Sequence, residues 1–225
     1  EEGIRRGMYC LRSVAEPQVR LLASGPMVKE AIAAAALLDT HFAVSAEVWS
    51  VTSYSELARD GIAIERNNRL QGASETPEVP YVTAQLTAQL NSSDTPVIAV
   101  SDYVRGVAES IRAYVPARYA TLGTDGFGRS DTRANLRDFF EVDARWIAFT
   151  AMCELQACLG CTAGTQQFAQ QLGLSELSHA EPNPIAPIQP PQAHATNHSS
   201  STEEYSQKIT SAVSVSYVGE SSTSN

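Results

Sequence analysis

Short β-branched runs alternate with helical apolar periods from Met8 to Ala157, and no other feature constrains the fold as tightly. The runs are Val19 to Ala23, Ala46 to Thr52, Pro96 to Val100 and Tyr119 to Leu122, with a shorter one at Met8 to Leu11. Helical periods lie between them, at Met27 to His41, Glu56 to about Leu70, Tyr81 to Leu90, Val104 to Ile111, Arg133 to Phe140 and Asp143 to Ala157. Strands that alternate with helices argue for an α/β fold, a mostly parallel sheet with helices on its faces.

Local punctuation supports these boundaries. Pro26 sits near the first turn of its helix, where a missing N–H costs nothing. Met27, Ile32, Ala35, Ala36 and Leu38 supply that helix's expected apolar face. Ser53 or Ser55 caps the next helix, and Gly61 marks a candidate break within it. Glu56, Arg59, Asp60, Glu65 and Arg66 give this helix a charged face, read as ion pairs and solvated surface. No catalytic residue is assigned there.

In a parallel sheet, ligands gather at the carboxyl ends of strands. The loops there are Ser24-Gly25-Pro26, Ser53-Tyr54-Ser55, Ser101-Asp102-Tyr103 and the glycine loop Leu122 to Asp131. The glycine loop has two readings. Its three glycines permit a tight strand-to-helix turn, with Ser130 or Asp131 as the helix cap. They also allow an anion to sit against free N–H groups at the start of the next helix. The candidate anion-binding residues are Gly126, Gly128, Arg129, Ser130 and Arg133. Arg137 adds positive charge, while Asp125 and Asp131 oppose an anion.

The net charge of -9 argues against a partner that follows a nucleic-acid backbone. No apolar run reaches bilayer-spanning length, so no membrane partner is expected. Cys153, Cys158 and Cys161 have C-x4-C-x2-C spacing, which matches three ligands of a plant-type iron–sulfur loop. Cys153 belongs to a helical apolar pattern, however, and Cys10 is far upstream. The thiols are therefore read as buried and reduced, with no metal, in a cytoplasmic protein.

The character changes after Gly160. Residues 1–160 read as the α/β domain, 161–185 as a short helix with a proline-rich spacer, and 186–225 as a Ser/Thr-rich disordered tail. The first residue is Glu, so the chain reads as a piece of a longer protein.

Several stretches carry a specific resemblance. They are Glu1 to Arg5, Val48 to Ser53 with Glu56 to Gly61, Glu65-Arg66, and Glu75-Thr76-Pro77 with Val79-Pro80-Tyr81. The longest is Leu122 to Asp131, continuing through Arg133, Asn135 to Arg137 and Phe140 to Asp143. Together they resemble the C-terminal domain of the homodimeric, thiamine-diphosphate-dependent pyruvate dehydrogenase component. The resemblance implies a mixed sheet of the transketolase C-terminal type. It implies an enzyme that decarboxylates pyruvate on thiamine diphosphate with magnesium and acetylates a lipoyl group. The family's cofactor lies between two other domains, and its Gly-Asp-Gly…Asn motif does not occur here, so this chain is expected to bind no cofactor. The implied partners are the remaining domains of its own enzyme, a homodimer partner and the lipoyl acyltransferase core. The implied role of the chain alone is structural and dimerisation support.

Overall fold

In the computed structural model, which describes residues 1–72, 76–87, 95–159 and 165–174, the β-branched runs lie side by side in one sheet. Its strands are β1 (Met8–Arg12), β2 (Val19–Ser24), β3 (Ala46–Val51), β4 (Val97–Val100) and β5 (Tyr119–Leu122). Their spatial order is β1-β3-β2-β4-β5. Strand β2 pairs in parallel with both β3 and β4, and β4 pairs in parallel with β5. Strand β1 lies antiparallel on β3, so the sheet is mixed.

Parallel neighbours require crossovers that place helices on the faces, and the chain supplies them. The helices are α1 (Glu2–Arg6), α2 (Met27–Phe42), α3 (Tyr54–Gln71), α4 (Tyr81–Thr87), α5 (Arg105–Glu109), α6 (Arg133–Phe139), α7 (Ala144–Cys158) and α8 (Thr165–Gln171). One face of the sheet presents Val19, Leu21, Ala23, Val48 and Ile98 to α2, α7 and α8. The other presents Met8, Leu22, Trp49, Val97 and Ala99 to α3, α4 and α5. Every residue from Val19 to Ala23 is buried, as expected of a strand covered on both faces.

Several expectations are corrected in detail. The buried face of α2 is Met27, Ala31, Ala34, Ala35 and Leu38, whereas Ile32 and Ala36 are exposed. Small residues form the contact because they let the helix approach the sheet, so size was a poor guide to burial. Gly61 does not break α3, since a helical glycine costs only about 1 kcal/mol relative to alanine. A Cβ there would fall 2.4 Å from the Tyr114 ring, so the glycine makes room for a packed neighbour. The helix beginning near Val104 stops at Glu109 and resumes as a 3-10 turn at Arg112–Tyr114. Helix α1 was not anticipated, because it buries no residue and so leaves no apolar period. Of the helix expected at Tyr81 to Leu90, the part after Thr87 lies outside the described residues. Ala169, Leu172 and Leu174 join the first core, so the packing continues past residue 160. The proline-rich spacer and the Ser/Thr-rich tail lie outside the described residues.

The charged face of α3 is an ion-pair surface. Arg59 pairs with Glu56, and Arg69 lies 3.8 Å from Glu65. Asp60 accepts from Arg6 Nη2 at 3.1 Å and from the Tyr81 backbone N–H at 2.7 Å, which ties α3 to α1 and α4.

The second core contains one ion pair. Arg20 and Glu47 stand opposite each other on β2 and β3, 1% and 0% exposed. Glu47 Oε2 accepts from Arg20 Nε at 3.1 Å and from Trp49 Nε1 at 2.7 Å. The half-buried Cys10 thiol lies 3.8 Å from Glu47 Oε1, and burial followed by that carboxylate pushes it up to about 11. It is therefore a poor nucleophile at neutral pH. Removing one member of a buried pair leaves a desolvated charge without compensation. Glu47→Gln should lower unfolding free energy by about 3–5 kcal/mol in urea titrations. The double variant Arg20→Met/Glu47→Leu should recover most of that loss.

Candidate functional site

The carboxyl ends of β2, β4 and β5 open toward one edge of the sheet, and three loops meet there. Ser24 Oγ donates to Ser101 Oγ at 3.2 Å, and Ser101 Oγ also accepts from the Tyr103 N–H. The glycine loop is fastened to the loop after β4. The Thr124 N–H donates to Tyr103 O at 2.9 Å, and Thr124 Oγ1 donates to Asp102 O at 2.9 Å. Asp125 Oδ1 accepts from the Arg105 N–H at 2.8 Å, and its Oδ2 accepts from Arg105 Nε at 2.5 Å.

The three glycines of the loop do different work. Gly126 has φ +92°, which favours glycine. A Cβ on Gly123 would fall 2.6 Å from Tyr103 O and 2.8 Å from the Arg105 nitrogen, both backbone atoms. Gly128 would meet nothing within 4 Å.

The cap of α6 is Thr132, not Ser130 or Asp131. Thr132 Oγ1 accepts from the Asn135 N–H at 3.3 Å. Asp131 Oδ1 accepts from the Thr132 N–H at 2.6 Å and from Asn135 Nδ2 at 2.9 Å. With Thr132 N–H and Asn135 N–H engaged and α6 only seven residues long, the helix end offers little to an anion. The charge at this edge comes from side chains.

These elements enclose a groove of about 430 Å³. Gly126, Gly128, Arg129 and Arg133 line it, together with Asp102, Thr124 and Arg137. Pro26, Met27, Leu136, Phe140 and Val142 form its apolar wall. Ser130 is exposed and is not among the lining residues. The loop after β3 does not reach this groove; Ser55 lines a separate one between α3 and α5, with Ala58, Ile62 and Val107.

Helix α6 is held by its far end. Arg137 Nη1 donates to Glu30 Oε1 of α2 at 2.5 Å, and the Ala144 N–H donates to Glu30 Oε2 at 3.1 Å. Asp138 Oδ1 accepts from Arg145 Nη2 at 2.7 Å and Trp146 Nε1 at 3.1 Å. Glu30 was not singled out in the sequence. Its partner lies 107 residues away, and no local pattern signals such a pairing. Arg129 is exposed, with its guanidinium carbon 4.0 Å from the centre of the Phe139 ring.

Strand β5, which launches the loop, is braced from α5. Glu109 accepts from Arg112 Nε at 2.5 Å and Nη2 at 2.7 Å, and it also accepts from Thr121 Oγ1. The hydrogen-bonded Arg112 guanidinium holds the Glu109 carboxyl at about 2, against an ordinary value of 4.5 and against the opposing effect of partial burial.

Cys153 lies half-buried in α7, where burial raises its thiol, and Cys161 lies outside the described residues. No helix among the described residues is long and apolar enough to cross a membrane.

The family described as transketolase-like TK C-terminal domain matches residues 7–143. A pyruvate dehydrogenase E1 component of Cupriavidus necator is 44% identical over 190 residues, covering 83% of this chain and 20% of that one. The pyruvate dehydrogenase E1 component of Escherichia coli is 46% identical over 158 residues, covering 69% of this chain and 17% of that one. The chain thus spans about one fifth of the length of the curated relatives it matches. Among solved structures, the transketolase from Leishmania mexicana aligns at 23% identity with a TM-score of 0.48, covering 72% of this chain and 20% of that one.

Two outcomes are expected at this edge. Gly123→Ala should destabilise by about 1–3 kcal/mol through overpacking, while Gly128→Ala should unfold at the wild-type urea midpoint. A carboxyl lowered by the fold stabilises it above the ordinary value and loses that contribution as pH falls. Glu109→Gln should therefore flatten the decline in stability between pH 4.5 and about 2, followed by circular dichroism.

Proposed function

The chain belongs to the transketolase-like C-terminal domain family, and we propose that it is the C-terminal domain of a pyruvate dehydrogenase E1 component. The observation that carries this reading is the 44% identity to such a component over 190 residues. The whole enzyme would decarboxylate pyruvate and pass the acetyl unit to a lipoyl group of an acyltransferase core. Thiamine diphosphate, when bound, would supply the carbanion chemistry.

The described residues of the glycine turn do not fit that cofactor. Asp125, the one carboxylate in the Gly123 to Gly126 turn, has both oxygens engaged by Arg105, which leaves it poorly placed for magnesium. We therefore assign cofactor binding to other domains of the enzyme and structural and dimerisation support to this chain. The groove between α3 and α5 supports a packing role. It is mostly apolar, and Ile62 at its rim is 61% exposed. Half-buried thiols without a disulfide at Cys10 and Cys153 accord with a cytoplasmic enzyme.

The test is a chimera in which this chain replaces the matching segment of the Cupriavidus necator enzyme. It should dimerise and acetylate a lipoyl domain from pyruvate. A folded, dimeric chimera without that activity overturns the reading. Titration of the isolated chain with thiamine diphosphate and magnesium should give no binding heat, and micromolar binding would overturn the division of labour.

A further inference from the structure

We propose that the groove at the carboxyl ends of β2, β4 and β5 binds an organic phosphate monoester with a compact apolar body. On a chain of net charge -9, arginines at positions 6, 20, 59, 69, 105, 112, 118, 137 and 145 each have a carboxylate partner. Arg129 and Arg133 line one groove, and neither forms an ion pair among the described residues. Two guanidinium groups match the charge of a phosphate dianion and offer the forked donors it accepts.

The acids that would oppose an anion are largely committed. Asp125 is engaged by Arg105, and Asp131 accepts two hydrogen bonds at the start of α6. Glu30 is held by Arg137 and the Ala144 N–H. Asp102 is the one carboxylate among the lining residues, against three arginines. Arg129 is also pre-oriented. Its guanidinium carbon lies 4.0 Å from the centre of the Phe139 ring, a cation–π contact that restrains the side chain without using its N–H donors.

The apolar part of the lining sets the rest of the ligand. Met27, Leu136, Phe140 and Val142 are apolar, and about 430 Å³ suits a small molecule with an apolar body. An inorganic ion would leave that wall unused. The proposal rests on this groove alone and stands or falls independently of the E1 reading.

The test uses the whole chain with phenyl phosphate as probe, by calorimetry and thermal shift. Phenyl phosphate should bind and raise the melting temperature, with inorganic phosphate and benzoate each weaker by about tenfold or more. Arg129→Ala and Arg133→Ala should each weaken phenyl phosphate by about tenfold or more, and Arg66→Ala, outside the groove, should not. Arg129 and Arg133 are exposed, so the variants should keep the wild-type fold; should an alanine variant unfold, Arg129→Gln and Arg133→Gln make the same comparison. The proposal is overturned by absence of binding to the wild type, by binding that survives loss of both arginines, or by equal affinity for inorganic phosphate.

Discussion

Parallel pairing on both sides of β2 is the constraint on which the rest of the molecule depends. A strand with parallel neighbours at each edge cannot be reached through hairpins, so each connection must cross a face of the sheet. The crossings put α2 on one face and α3 and α5 on the other, α7 joins α2 after the last strand, and β2 is left buried from Val19 to Ala23. The small residues of α2 follow from the same constraint, because the helix must lie close to the strands it covers. The pairing of Arg20 with Glu47 follows as well. A charge on a doubly covered strand has no route to water, so it persists only with an opposite charge in register on the adjacent strand.

Parallel strands also point their carboxyl ends the same way, and this makes the groove. The loops after β2, β4 and β5 are brought to one edge by topology, then joined by Ser24 to Ser101, Thr124 to Asp102 and Asp125 to Arg105. The glycine loop is thus a fastened junction. Its positive charge comes from Arg129 of the loop itself and from Arg133 at the start of a short helix whose far end is held to α2 by Glu30.

The boundaries of most elements were legible because they are written locally. Ser53 was one of two candidate caps for α3, and its hydroxyl accepts from the Glu56 N–H at 3.1 Å. The run Tyr119 to Leu122 is β5 without adjustment. Errors arose where the deciding partner was distant. Gly61 reads as a break until Tyr114 is seen against it, and Ile32 reads as core until the alanines of α2 are seen on the sheet. At the candidate site, the glycines and arginines were visible as a cluster. The cap at Thr132 and the position of Ser130 outside the groove lining depended on the backbone path of the loop.

The amino-acid sequence by itself determined the α/β class, the order of the elements and the kinship with transketolase-like C-terminal domains. These reside in periodicity, turn residues and contiguous motifs, all of which act over a few positions. Only the tertiary structure decided which charges are neutralised and which remain available. Glu30 reaches Arg137 across 107 residues, Arg105 reaches Asp125 across 20, and Arg20 finds Glu47 across 27. Coulomb attraction and desolvation depend on distance in space and on burial, neither of which is encoded in the spacing of residues along the chain. The same physics leaves Arg129 and Arg133 without carboxylates at the sheet's edge, and that distinction appears only after folding.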